Sequence, residues 1–114
     1  MPHIIIEYAD LLGDDTFAHT LCITVHQAIA ESGLFEASHI KTRAYPFKTY
    51  THAGGEKPYI HIQARIKSGR DSQNKKQLSD AIIDKLKLVQ IQDTVVTVEI
   101  IDMDRESYGK FKAD

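Results

Sequence analysis

Pro2 is the residue of this chain whose type and position could do chemistry most directly. An initiator methionine followed by a small residue is normally trimmed, and its loss would leave a secondary amine at the start of an apolar strand. Model α-amino groups titrate at about 7.7–8.0, close enough to neutrality for such an amine to take up and return a proton. While Met1 is attached, the same nitrogen is an amide with no basic lone pair. The proline carries weight only through what surrounds it. Other reactive residue types offer less. The six histidines show no HExxH or other tight ligand spacing, and His19 and His26 merely share a helix face, so no metal is assigned. Cys22 lacks an activating neighbour pattern and reads as a reduced, mostly packed thiol.

The rest of the chain must position that terminus. At 114 residues with 42% hydrophobic and 26% charged content, it fits one compact domain. Fourteen basic and sixteen acidic side chains leave a formal net charge of -2, which excludes a global field for nucleic acid or an anionic membrane. Any anion site must be local. A single cysteine, and no signal-like or membrane-length apolar run, predict a cytoplasmic protein.

Residues 3–8, His-Ile-Ile-Ile-Glu-Tyr, predict a strand, and Asp14 or Asp15 offers a cap for a following helix. Phe17, Leu21, Val25, Ala28 and Ile29 recur at helical spacing, with Gly33 placed for a left-handed stop. From about His39 to Phe47 the pattern is extended, with Ile40, Thr42 and Ala44 on one face and Lys41, Arg43 and Tyr45 on the other. Pro46 predicts a bulge or a sheet edge there. After a turn at Thr51–Lys57, Ile60, Ile62, Ala64 and Ile66 alternate strictly with polar residues. Ser68-Gly69-Arg70-Asp71-Ser72 ends that strand and caps a second helix carrying Leu78, Ala81, Ile82, Leu86 and Val89. The last strand, Thr94 to Met103, is dense in valine and isoleucine and predicts a buried position.

The two halves share one order of elements. The first opens Pro2-His-Ile-Ile-Ile and the second Pro58-Tyr-Ile-His-Ile, which predicts pseudo-repeats at about 2–48 and 58–104 within one domain. Two right-handed βαβ units of this length give an α/β fold: a four-stranded sheet with both helices on one face. Nothing remains to cover the other face, because Arg105 to Asp114 reads as a short polar tail, so self-association through that face is expected.

This arrangement resembles the tautomerase superfamily, and in particular its 5-carboxymethyl-2-hydroxymuconate isomerase branch. The residues carrying the resemblance are Pro2-His3-Ile4-Ile5-Ile6-Glu7-Tyr8, Ser32-Gly33-Leu34-Phe35, Ile40-Lys41-Thr42-Arg43-Ala44-Tyr45 and Ile66-Lys67-Ser68-Gly69-Arg70-Asp71, in the expected order along most of the chain. It implies a homotrimer and a cofactor-independent isomerase with the proline amine as general base. By position it also implies that Arg43 and Arg70 bind the carboxylates of an unsaturated 2-oxo or 2-hydroxy dicarboxylate. The implied setting is bacterial breakdown of aromatic acids. Alternatives on the same fold are a phenylpyruvate-type tautomerase, a hydratase or dehalogenase of a short unsaturated acid, and a non-catalytic trimeric binding protein. Arginine suits the binding task because its planar fork grips a carboxylate and stays charged. Lys41 and Arg65 read as structural cations. Related sequences commonly carry an asparagine pair where this tail reads Ser107-Tyr108-Gly109-Lys110-Phe111. The chain also has no tryptophan in its Tyr45–Tyr50 stretch, so Tyr45, Phe47 or Tyr50 is expected to supply any aromatic wall.

Overall fold

The computed structural model describes residues 1–114. Four strands and two helices follow the expected order: β1 (His3–Ala9), α1 (Asp15–Glu31), β2 (Lys41–Phe47), β3 (Tyr59–Lys67), α2 (Ser72–Leu86) and β4 (Val95–Met103). The sheet order is β2-β1-β3-β4, with β1 and β2 parallel, β3 and β4 parallel, and the two central strands antiparallel. That is the layout of two βαβ units joined along β1 and β3.

Local chemistry sets the helix boundaries. The Asp14 carboxylate accepts from Thr16 N at 3.0 Å and Phe17 N at 3.3 Å, and Asp71 accepts from Asn74 N at 2.8 Å, so each helix start has a side-chain cap for donors that the helix cannot pair. After α1 the chain turns through Gly33 at φ +75, where a side chain would be strained.

The alternation read in the strands becomes the core. Ile4, Ile6 and Tyr8 of β1 and Ile60, Ile62, Ala64 and Ile66 of β3 are buried under Leu21, Val25, Ala28 and Ile29 of α1 and Leu78, Ile82 and Leu86 of α2. Each such large aliphatic side chain contributes roughly 1.5–3 kcal/mol by leaving water. The α2 helix ends at Leu86, short of Val89, which still packs against the core from the following turn.

Two outer strands behave differently from each other's expectation. Pro46 lies on β2, which is an edge, as a residue without a ladder donor requires. The last strand, expected to be buried, is the opposite edge, and Val95 is 45% exposed. Only one side of β4 has a neighbouring strand. Val96, Val98 and Ile100 pack toward the core while Val95, Thr97 and Glu99 alternate into solvent, so its aliphatic content reflects one covered face rather than two.

The helix-free face of the sheet carries mostly charged and polar side chains. Register places Lys41, His3 and Arg65 in one row and Arg43, Ile5, Gln63 and Glu99 in the next. A face of this composition tolerates water within one chain.

Candidate active site

Four segments converge at the start of β1. Because β2 runs parallel to β1 with His3 opposite Lys41, the beginning of β2 lies beside the N-terminus. Because β3 runs antiparallel with His3 opposite Arg65, the end of β3 and the loop after it arrive at the same place. Lys67 pairs with Met103 across β3 and β4, which delivers the C-terminal tail there too. Pro2 is fully buried at this junction, and its carbonyl accepts from Lys41 N at 3.0 Å, so the ring is locked into the β1–β2 ladder. Its nitrogen is in amide linkage to Met1, whose amino group donates to the His39 carbonyl.

The junction encloses a cavity of about 250 Å³ lined by Met1, Phe35, His39, Lys41, Lys67, Arg70, Arg105 and Lys110. Five of these side chains are cationic and none is a carboxylate, on a protein whose net charge is -2. The local field is therefore strongly positive and shaped to hold an anion. Its effect shows on the terminal amine: burial first, then the Lys41 charge, with Lys110 and Lys67 adding, bring the Met1 amino group from 8.0 down to about 6. His3 is held below its ordinary value by burial first, then by Lys41, the terminal amine, Arg43 and Arg65.

Arg70 is pre-oriented. Its guanidinium donates to the Leu34 carbonyl at 2.8 Å and lies 4.6 Å from the centre of the Phe35 ring, which fixes the plane of the fork at the cavity wall. The Ser32–Phe35 segment after α1 thereby supplies both an anchor for the arginine and the aromatic wall. Phe47 and Tyr50, expected for that wall, instead cluster with Tyr59 at the other end of β1, with ring centres 4.8–5.7 Å apart. Tyr45 lies exposed on the open face.

Of the three residues picked out in the sequence, Arg70 lines the cavity, while Pro2 is buried behind Met1, which does line it. Arg43 does not line it: it lies two positions further along β2, exposed on the open sheet face, with its guanidinium 6.0 Å from the Tyr45 ring. Lys41, a structural cation on the sequence reading, is the β2 residue that reaches the cavity, and Lys67 reaches it from the end of β3. The signal that identifies Lys41 is strand parity together with a parallel partner beginning at Pro2. Arg65 stays outside.

The tail is the larger surprise. Read as a polar end, it crosses the mouth of the junction and contributes Arg105 and Lys110 to the lining. Tyr108 OH lies 2.9 Å from His3 Nε2, and Arg105 Nε donates to the Ser68 carbonyl at 3.1 Å. No periodicity marks a segment whose place comes from two isolated long-range contacts. Cys22 sits half-buried in α1, where burial pushes its thiol up and away from the thiolate form. No helix is long and apolar enough to cross a membrane.

The sequence and the fold have counterparts among known proteins. The family described as 5-carboxymethyl-2-hydroxymuconate isomerase matches residues 2–110. The 5-carboxymethyl-2-hydroxymuconate Delta-isomerase of Escherichia coli is 26% identical over 89 residues, covering 76% of this chain and 71% of that protein. Among solved structures, a 5-carboxymethyl-2-hydroxymuconate delta-isomerase superposes with TM-score 0.82 at 20% identity, over 98% of this chain and 89% of the other. A fused 4-OT wild type symmetric trimer superposes with TM-score 0.75 at 14% identity, over 92% and 89%. At these identities the two structural likenesses establish the fold.

Proposed function

This chain belongs to the 5-carboxymethyl-2-hydroxymuconate isomerase family, a family of cofactor-independent isomerases, and from that premise we propose that the Pro2 ring nitrogen, freed of Met1, is the base that moves a proton along an unsaturated hydroxy or oxo polycarboxylate. The observation that carries this reading is the cavity itself: five cations and no carboxylate around a half-buried Met1, next to the buried Pro2, where the Met1 amine falls to about 6.

The chemistry needs little else. A neutral amine takes the proton of the 2-hydroxyl; the O–H electron pair becomes the carbonyl π bond, the conjugated double bonds shift, and the resulting prolinium returns the proton to a carbon further along. Atoms and charge balance without a co-reactant. The positive field keeps the free base neutral at ordinary pH by disfavouring the ammonium form, and it stabilises the enolate that develops. A positioned base contributes about 10² to 10⁴ in rate, so the cations must supply much of the remainder. Arg70, fixed by Leu34 and Phe35, is the bidentate carboxylate clamp; Lys41 and Lys67, on strand ends, are the further countercharges.

The substrate class follows the cation count. A muconate skeleton carries two carboxylates, and a carboxymethyl substituent adds a third, which five cations accommodate better than a monoacid. Arg43 serves the reaction only from a neighbouring copy, because within one chain it faces away from the cavity. A homotrimer assembled through the open faces would bring it to an adjacent site; a symmetric trimer is named for the fused 4-OT structure. A cytoplasmic place in the degradation of aromatic acids completes the proposal.

An ultraviolet assay of ketonisation on 5-carboxymethyl-2-hydroxymuconate and on phenylenolpyruvate tests it, with Pro2→Ala as the control. Turnover of the first substrate with a loss of at least about 10² in Pro2→Ala is expected. Equal rates for variant and parent, or turnover of phenylenolpyruvate alone, would overturn the assignment.

A further inference from the structure

The five cations of the cavity divide into two groups by what holds them. Lys41 and Lys67 stand on strand ends, and Arg70 is fixed in the loop just before α2 by Leu34 and Phe35. Arg105 and Lys110 come from the tail after β4, which forms no helix or strand of its own. Its only polar ties to the body are Arg105 Nε on the Ser68 carbonyl and Tyr108 OH on His3 Nε2, with the Lys67 ammonium 5.4 Å from the centre of the Tyr108 ring. The loop beside Arg105 turns through Gly69 at φ +123, a conformation that side chains rarely adopt, with the Arg105 guanidinium at van der Waals distance from it. Tail and strand ends thus present separate sets of positive charge to one cavity.

We propose that the tail, latched by Tyr108 on His3 and by Arg105 on Ser68, supplies a distinct carboxylate subsite, Arg105 with Lys110, that selects tricarboxylate over dicarboxylate substrates. This rests on the function proposed above and adds a division of labour to it. The clamp on the strand ends and the loop before α2 holds the conjugated diacid whose proton moves. The tail pair holds the carboxylate that hangs off that skeleton. Tyr108 acts here as a positioning residue, touching His3 rather than substrate. A selectivity device on the tail also fits its sequence, since a segment without core residues can change its charges without disturbing the sheet.

The test compares kcat/KM for 5-carboxymethyl-2-hydroxymuconate with that for 2-hydroxymuconate, which lacks the carboxymethyl group, in the parent and in an Arg105→Gln, Lys110→Met double variant. Both side chains are exposed, so each contributes modestly, and the ratio of the two kcat/KM values should fall about tenfold. The parent's preference should also shrink in high salt. Tyr108→Phe should raise KM for the tricarboxylate and leave kcat within about twofold. A ratio unchanged in the double variant overturns the subsite, and a KM unchanged in Tyr108→Phe overturns the latch. If neither substrate turns over, calorimetric binding of propane-1,2,3-tricarboxylate against glutarate carries the same comparison. Tighter tricarboxylate binding that disappears in the double variant upholds the subsite without the isomerase activity; equal binding of both acids by the parent overturns it.

Discussion

Replacing Lys41 with methionine should move the ascending limb of the pH–rate profile upward. The terminal amine in this cavity falls from 8.0 to about 6, with burial the largest cause and the Lys41 charge the next. The Pro2 nitrogen is one residue away in the same field, and the proposed base works only when neutral, so kcat/KM of the Met1-free enzyme rises with pH through the amine pKa. Removing the Lys41 ammonium removes a repulsion that disfavours prolinium, so the pKa rises. Burial remains, with Lys110 and Lys67, so the rise recovers only part of the depression, on the order of one unit. On the acid limb one unit is tenfold in the neutral fraction, so Lys41→Met should lose up to about tenfold in kcat/KM at acid pH from this cause alone. On the alkaline plateau only the binding contribution of the lysine is lost. Lys41→Arg should keep the parent limb, because it keeps the charge. The assay is initial-rate ultraviolet spectroscopy across the pH range, with Met1 removal verified by mass for every variant. A Lys41→Met limb that coincides with the parent's, or shifts to lower pH, would refute the reasoning.

Arg70→Lys keeps a positive charge but loses the fork held between Leu34 and Phe35; KM for the polycarboxylate should rise about tenfold or more, since hydrogen bonds to charged groups contribute about 1.5–3 kcal/mol, and unchanged steady-state kinetics would remove Arg70 from the clamp. If Arg43 acts across a subunit boundary, assemblies mixed from Pro2→Ala and Arg43→Ala chains should be more active than either variant alone, and no gain on mixing would confine Arg43 to the surface. Leu78, 1% exposed between α2 and the sheet, should cost about 2–5 kcal/mol when cut to alanine, measured by denaturant unfolding. A loss under about 1 kcal/mol would show that the core there is not as packed as described.

What could be read from the residues was whatever repeats at a fixed period. Ile60, Ile62, Ala64 and Ile66 alternate because one sheet face is covered, and all four are buried. Leu21, Val25, Ala28 and Ile29 recur because one helix stripe is covered, and they are buried too. The proline and the Ser-Gly-Arg turn are legible as types at element ends, and Arg70 lines the cavity that Met1, the residue before Pro2, also lines. Composition misled at β4, where valine and isoleucine supply one covered face of an edge strand. Parity alone could not choose between Lys41 and Arg43, which share a strand face; the register His3 to Lys41 decides it. Arg105, Tyr108 and Lys110 were not legible as site residues, because their positions depend on single contacts to residues more than thirty positions away.

The most direct test of the account is to take one preparation that retains Met1, remove that residue with a methionine aminopeptidase, and follow intact mass and isomerase rate together. The account predicts that kcat/KM rises by at least about 10² as the mass of one methionine is lost, because release converts the Pro2 amide into the base. A rate that is already full while Met1 is attached, and does not change as it leaves, would contradict it.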